Sequence, residues 1–380
     1  MRNRTKWIVG GLVAALVVGG AAVAVVALGG GSDRAQAVKP ARSTTSTAPT
    51  TTLPKPPTAP LTGLPDPSGQ SQTRPVLSVK VENTPDARPQ VGIDQADVVY
   101  EEEVEGNITR FLAMFNSTAP DTIGPVRSVR AQDPAIVWPV KGIFAYSGGA
   151  DGPVHDINAA PVHAVDNTAA IANGLNGMER DAPGQPPRQA PHNLYGHGPA
   201  LFSLGGSPVP PPPLFQYREA GVAPPPGADP GAPVESMRVG FLAGYDPTYQ
   251  WDAGTGTWKR FQLGQPHTVV DGTQIAPTNV VVQFTEYPNE SDGQTVGEGD
   301  AWVFTDGRVY KGRWVRPDLD TPARYVDANG NPILLTPGRT WVELLPVGYA
   351  VDVTSPPPPS TTLPPPTTAP PATTKPRNKK

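Results

Sequence analysis

Residues Val98–Phe115 read VVYEEEVEGNITRFLAMF. Two β-type runs flank Gly106-Asn107, a pair suited to a tight hairpin turn. A two-residue loop there pairs Glu105 with Ile108, Glu103 with Arg110 and Glu102 with Phe111. Alternation then puts Glu101, Glu103, Glu105 and Arg110 on one face. Glu102 falls on the other, with Val98, Tyr100, Val104, Phe111, Ala113 and Phe115. A carboxylate among apolar neighbours requires a partner, because burying it unpaired is expensive. Arg127 and Arg130 are the expected partners. The pair is either a structural ion bridge or a carboxylate raised in pKa for acid/base work, which makes Glu102 the one catalytic candidate. A slip of one residue in the turn exchanges the two faces.

Working outward, Val76–Val81 and Gly142–Ser147 also read as strands. Asp133-Pro134 opens a short helix, and further helix is expected around 154–160 and after His197. These elements make one segment, 61–206. A Pro/Gly-rich stretch, 207–233, reads as a linker or surface excursion. From 234 to 350 the pattern is strand and turn, including hairpins around Gly254-Thr255-Gly256 and Asp306-Gly307 and a β-branched strand at Asn279–Thr285. Six of the seven Trp lie within 75–350, so the chain has real cores to build.

The ends differ in kind. Trp7–Leu28 is an uncharged run of 22 residues preceded by Arg2, Arg4 and Lys6. It is long enough to span a bilayer core, with residues 1–6 in the cytoplasm and the bulk exported. The alternative is a secretion signal cleaved at Ala35-Gln36-Ala37. Residues 29–60 read as a disordered Thr/Pro-rich stalk, and 351–380 as a disordered basic tail. Pro (51) and Gly (40) make up nearly a quarter of the 380 residues, which excludes a single fully ordered globule. The absence of Cys excludes disulfides, thiolate metal sites and a thiol nucleophile. Residues 75–350 hold 18 Lys+Arg against 31 Asp+Glu, a net charge of −13. An acidic body of this kind disfavours nucleic acid as a partner.

Gly124-Pro125-Val126-Arg127-Ser128-Val129-Arg130 sets two guanidiniums three residues apart, a spacing able to clamp a carboxylate or phosphate. His155, His163, His192 and His197 lie within 43 residues but on no ligand spacing, so no metal or other cofactor is expected. Ser128 and Ser147 lack a Gly-x-Ser-x-Gly elbow, and Ser147-Gly148-Gly149-Ala150 lacks the Lys-Ser/Thr of a phosphate loop.

The runs Arg74-Pro75-Val76, Ala87-Arg88-Pro89-Gln90, Ala96-Asp97-Val98-Val99-Tyr100-Glu101, Gly124–Arg130 and Pro191-His192-Asn193-Leu194-Tyr195 resemble the YerB-like family of bacterial extracytoplasmic proteins. Gly299-Asp300-Ala301 and Gly338-Arg339-Thr340-Trp341 resemble its second part. The resemblance implies an envelope location and an α+β fold. A mixed-sheet N-terminal domain would be followed by a mostly-β domain, with helices on one side of the sheet layers. It implies no activity. Many members look like lipoproteins with an acylated Cys; here a membrane span takes that place. The expectation is a membrane-anchored binding module for a cell-wall polymer or envelope protein. Its ligand contacts are sought among Glu101, Glu102, Arg110, Arg127, Ser128, Arg130, His192 and Asn193, with His192 placed by resemblance. The alternative is an envelope hydrolase of glycan or peptide, using a carboxylate acid/base.

Overall fold

The computed structural model describes residues 56–167, 177–182, 184–206, 210–219, 229–242 and 244–357. The expected anchor at 7–28, nearly all of the stalk and the tail beyond residue 357 lie outside the described residues. The first strands are β1 (Leu77–Glu82), β2 (Val98–Val104), β3 (Ile108–Phe115), β4 (Ile143–Tyr146) and β5 (His163–Asp166). A small hairpin follows, β6 (Met178–Arg180) with β7 (Leu194–Gly196). Next come β8 (Ala232–Pro233), β9 (Ser236–Val239), β10 (Thr248–Asp252), β11 (Thr257–Gln262) and β12 (Gln265–Pro266). The last are β13 (Asn279–Thr285), β14 (Gly297–Thr305), β15 (Arg308–Arg316), β16 (Arg324–Val326), β17 (Thr340–Pro346) and β18 (Val351–Thr354).

The fold is α+β and mostly strand. One large mixed sheet runs β16-β15-β14-β13-β17-β2-β3-β1-β4-β5, with β8 added against β15. A smaller sheet runs β12-β11-β10-β9-β18. The join in the large sheet is β17, which lies parallel to both β13 and β2. The two sequence segments therefore share one hydrogen-bonded sheet. Helices α1 (Asp133–Val137) and α2 (Asp151–Ala159) place Ile136, Val137 and Ile157 in a core with Leu112, Met114 and Val342. Helix α3 (Gly198–Ser203) places Leu201 in a second core with Val79, Phe111 and Trp341. A third core, around Tyr249, Trp258, Val280 and Phe304, draws on the small sheet and the C-terminal half of the large one.

Three expectations are corrected. The β2–β3 loop has three residues, because Val104 faces Ile108, Glu103 faces Thr109 and Glu102 faces Arg110. The physical reason is that Glu105 leaves the ladder: its N–H donates to Ser291 Oγ at 2.7 Å. Gly106 (φ 80°) and Asn107 (φ 56°) then close the turn in the left-handed region. The Pro-rich stretch is not free of the body where it is described: Leu214 and Phe215 are buried in the first core, and Phe215 stacks on Tyr325 at 5.9 Å. The ordered chain also outruns its expected end, since β18 pairs along β9 from Val351 to Thr354.

Between the sheets lies a closed polar network. Arg260 of β11 is fully buried and donates through Nη2 to Glu101 Oε2 of β2 at 2.6 Å. Its Nε donates to the Tyr249 hydroxyl at 3.1 Å, and that hydroxyl donates to Glu343 of β17. Glu343 and Glu101 are register partners on adjacent parallel strands. Two such carboxylates beside one guanidinium cannot both ionise in a dry site. Burial, reinforced by the charge of Glu101, pushes Glu343 well above its ordinary value of 4.5, so it is held as the neutral acid. Burial and the charge of Arg260 push His267 well below its ordinary range. The neutral ring accepts from Arg260 Nη1 at Nδ1 and donates from Nε2 to Gln90 Oε1 at 2.8 Å.

Glu343→Gln should keep this network, whereas Arg260→Met leaves Glu101 charged and unpaired and should lose about 3–5 kcal/mol. Folded Glu343 keeps a proton that the unfolded chain releases above about 4.5, so wild-type stability falls as pH rises through that region. Denaturant titrations from about pH 5 to about pH 8 should show Glu343→Gln gaining on wild type, by at most about 1.4 kcal/mol per pH unit.

Candidate functional site

The end of the large sheet nearest the β2–β3 loop carries a row of charges. Cross-strand register aligns Glu102, Arg110 and Glu82 on one face, with Tyr100, Leu112 and Lys80 in the next row. Lys80 is fully buried and contacts Glu102; its Nζ also lies 2.9 Å from Asp133 Oδ1. Asp133 Oδ2 accepts the Arg130 backbone N–H at 2.6 Å, which ties α1 to the loop before it. Burial outweighs the support of Asp133 and lowers the Lys80 ammonium to about 8. The partner of Glu102 is therefore Lys80, not Arg127 or Arg130. A Lys one row away on β1 reaches Glu102 because β3 alone separates the two strands.

Arg110 sits above this floor and is 4% exposed. Its Nη1 donates to Ser128 O at 3.3 Å, its Nη2 lies 4.0 Å from Glu105 Oε1, and its Nε is buried with no partner. Burial, then the like charge of Arg130, lowers it to about 10, although Glu105 opposes the shift. Glu105 and Glu82 support its charge without offsetting that burial.

Two ion pairs flank it. On one side Glu82 Oε2 lies 3.2 Å from Arg127 Nε and 3.0 Å from His192 Nδ1. Thr84 Oγ1 donates to the other Glu82 oxygen at 2.9 Å. On the other side Arg130 grips both oxygens of Glu105, with Nε to Oε2 at 2.6 Å and Nη2 to Oε1. Ser291 Oγ donates to Glu105 Oε2 at 2.7 Å. Burial alone would raise the Glu105 carboxyl, but the hydrogen bonds from Arg130 and Ser291 hold it down at about 2.

An open cleft of about 390 Å³ adjoins this second pair. Its walls include Glu105, Ser128, Arg130, Glu290, Ser291 and the Gly149-Ala150 approach to α2. A Cβ at Gly149 would meet Val129 Cγ1 at 2.8 Å, so only glycine lets this wall lie so close. Guanidiniums here can take a planar anion in a two-point grip.

Of the residues expected at the site, Arg110, Arg127, Ser128, Arg130 and His192 are brought together. His192 does meet the arginine and carboxylate cluster, through Glu82. Glu101 lies elsewhere, in the network with Arg260, and Glu102 lies beneath the site. Asn193 donates to Asp181 at 2.9 Å and accepts from Arg180 at 2.9 Å, so it braces its own loop. Glu82, Lys80 and Ser291 were missed. Glu82 and Lys80 alternate with the apolar residues of β1, a pattern that reads as an ordinary two-faced strand. Ser291 has no local signal, being 186 residues from Glu105.

The profile described as the N-terminal domain of a protein of unknown function (DUF3048) matches residues 61–204, and that of its C-terminal domain matches 237–342. The chain belongs to the DUF3048 family. Among proteins like it is "Putative lipoprotein YerB" of Bacillus subtilis (strain 168), 27% identical over 308 residues, covering 76% of this chain and 86% of that one. The crystal structure of the YerB protein from Bacillus subtilis superposes with a TM-score of 0.63 at 23% identity, covering 78% of this chain and 99% of the other. The DUF3048 fold is thus shared, and two of the runs that carry the resemblance hold Arg127 and His192, which meet at Glu82.

Removing Lys80 should be far more damaging than removing Arg110. Lys80→Met strands two buried carboxylates and should lose about 3–5 kcal/mol, while Arg110→Met removes an under-compensated charge and should leave stability unchanged or raised. Thermal melts of both variants test this contrast.

Proposed function

We propose that this DUF3048 protein is held at the membrane through residues 7–28 and works outside the cytoplasm as a binding module. Its cleft, walled by Arg130 with Ser128 and Ser291, takes an anionic group of a cell-wall polymer or envelope partner. The observation that carries this reading is Arg110: a buried guanidinium with an unpartnered Nε and a depressed pKa, next to Ser128 and Glu105, which line an open cleft. Stability alone gives no reason to keep such a charge, and an incoming anion supplies the missing counter-charge. The name of the B. subtilis relative, a lipoprotein, supports membrane attachment; in this chain the apolar run 7–28 would serve in place of a lipid.

A hydrolase would need a carboxylate that meets its substrate. Glu102 and Glu101 are both 0% exposed and ion-paired, to Lys80 and Arg260 respectively. That burial favours binding over acid/base work at either residue.

The full chain in detergent, incubated with isolated cell-wall sacculi, should pellet with them. Arg110→Met with Arg127→Ala should weaken pelleting at least about tenfold, the effect of about 1.4 kcal/mol. Equal pelleting by wild type and variant would remove the cleft from the account. Release of soluble sugar or peptide fragments would make the protein an enzyme.

A further inference from the structure

The cleft already contains an anion. Glu105 lies at the tip of the β2–β3 hairpin, and its side chain is 51% exposed. Yet both its oxygens are engaged, by the fork of Arg130 and by Ser291 Oγ. The Ser291 hydroxyl also accepts the Glu105 backbone N–H, which fixes the backbone while leaving the side chain on the solvent side. Nothing in the hairpin needs this carboxylate for pairing, because the ladder closes at Val104–Ile108 below it. A half-exposed group held this fully is built as an occupant of its site.

We propose that Glu105 is an internal stand-in for the ligand, and that the ligand is a carboxylate that displaces it from Arg130. The displacement presupposes the ligand cleft proposed above. The grip selects the chemical class. Arg130 presents two parallel donors to two coplanar oxygens, the geometry of a carboxylate, and the Ser291 hydroxyl adds a third donor. Glu290 on the cleft wall and Asp151 at the start of α2 add negative charge nearby. That field disfavours a dianion such as phosphate and tolerates a monoanion. When the ligand's carboxylate seats, Glu105 swings into solvent about its own side-chain bonds. Arg110 Nη2, 4.0 Å from the Glu105 oxygen, then faces the ligand's carboxylate in its place. A peptide C-terminus or an acidic sugar carries the required group; a free carboxylic acid in solution carries the same chemistry.

The test is calorimetric titration of the full chain with an acetylated dipeptide bearing a free C-terminus, with acetate, and with inorganic phosphate. Glu105→Gln should bind the dipeptide about tenfold more tightly than wild type, since a charge-assisted competitor is gone. Glu105→Asp, which keeps the charge but falls one methylene short of the Arg130 fork, should gain about two- to threefold. Arg130→Ala should bind none of the probes. If Glu105→Gln alters the fold by circular dichroism, Glu105→Asp carries the test. Wild-type binding that Arg130→Ala abolishes, but that neither Glu105→Gln nor Glu105→Asp improves, would sink displacement and leave the cleft standing. Phosphate bound more tightly than either carboxylate would overturn the ligand class. No binding by wild type or any variant would overturn the cleft itself and this inference with it.

Discussion

The guanidinium of Arg260, sealed between two sheets, is the contact on which the architecture turns. It pairs with Glu101 from the N-terminal segment and reaches Glu343 through Tyr249, both from the C-terminal segment. Its flat face lies 5.0 Å from the Trp341 ring and 5.5 Å from Phe111. Burial by itself disfavours the charge, but Glu101, Tyr249 and Glu343 outweigh it and hold Arg260 above its ordinary value. The desolvation of one cation is thus met by groups from β2, β10 and β17 together. No apolar substitution could specify so narrowly which strands must meet, because hydrophobic contact is non-directional and a hydrogen-bonded ion is not.

That constraint explains how a sheet can cross a sequence boundary. Parallel pairing of β17 with β2 brings residues more than 230 positions apart into register, and such non-local pairing is entropically demanding. The register sets Glu343 beside Glu101, where one residue of slip along β17 would bring Val342 or Leu344 instead. The same register sets the neighbouring row. Once Glu101 faces Arg260, Glu102 must face the other way, onto Lys80. The keystone on one side of the sheet and the charged floor on the other are two consequences of one alignment.

Much of this was legible locally and little of it at long range. The strands on both sides of the β2–β3 turn and the burial of Glu102 follow from alternation, and the short helix at Asp133-Pro134 from a Pro in its first turn. The turn length did not. Gly106-Asn107 argues for two residues, and what lengthens the loop is Ser291, whose place beside Glu105 no local pattern records. The partner of Glu102 was missed for the same reason, since a one-residue change in register exchanges the residues it faces. The arginine cluster was legible because Arg127 and Arg130 lie in one short run. Its counter-ions were not, because Glu82 reads as an ordinary strand residue and Glu105 as a turn flank.

The charges divide into those that close their accounts inside the fold and those that do not. Lys80 meets two carboxylates, and Arg260 meets one carboxylate, one hydroxyl and one imidazole. These groups are wholly enclosed, and their geometry leaves no room for a ligand. Arg110 is nearly as buried but meets one backbone carbonyl and a carboxylate at 4.0 Å. Among the described residues of the sheet, Arg110 is a buried cation with an unpartnered nitrogen, and it adjoins Ser128 and Glu105, which line an open cleft. A protein keeps such an exception where something outside the fold completes it. On the proposed reading an anion completes Arg110 beside Arg127 and Arg130, much as Glu105 already meets the Arg130 fork.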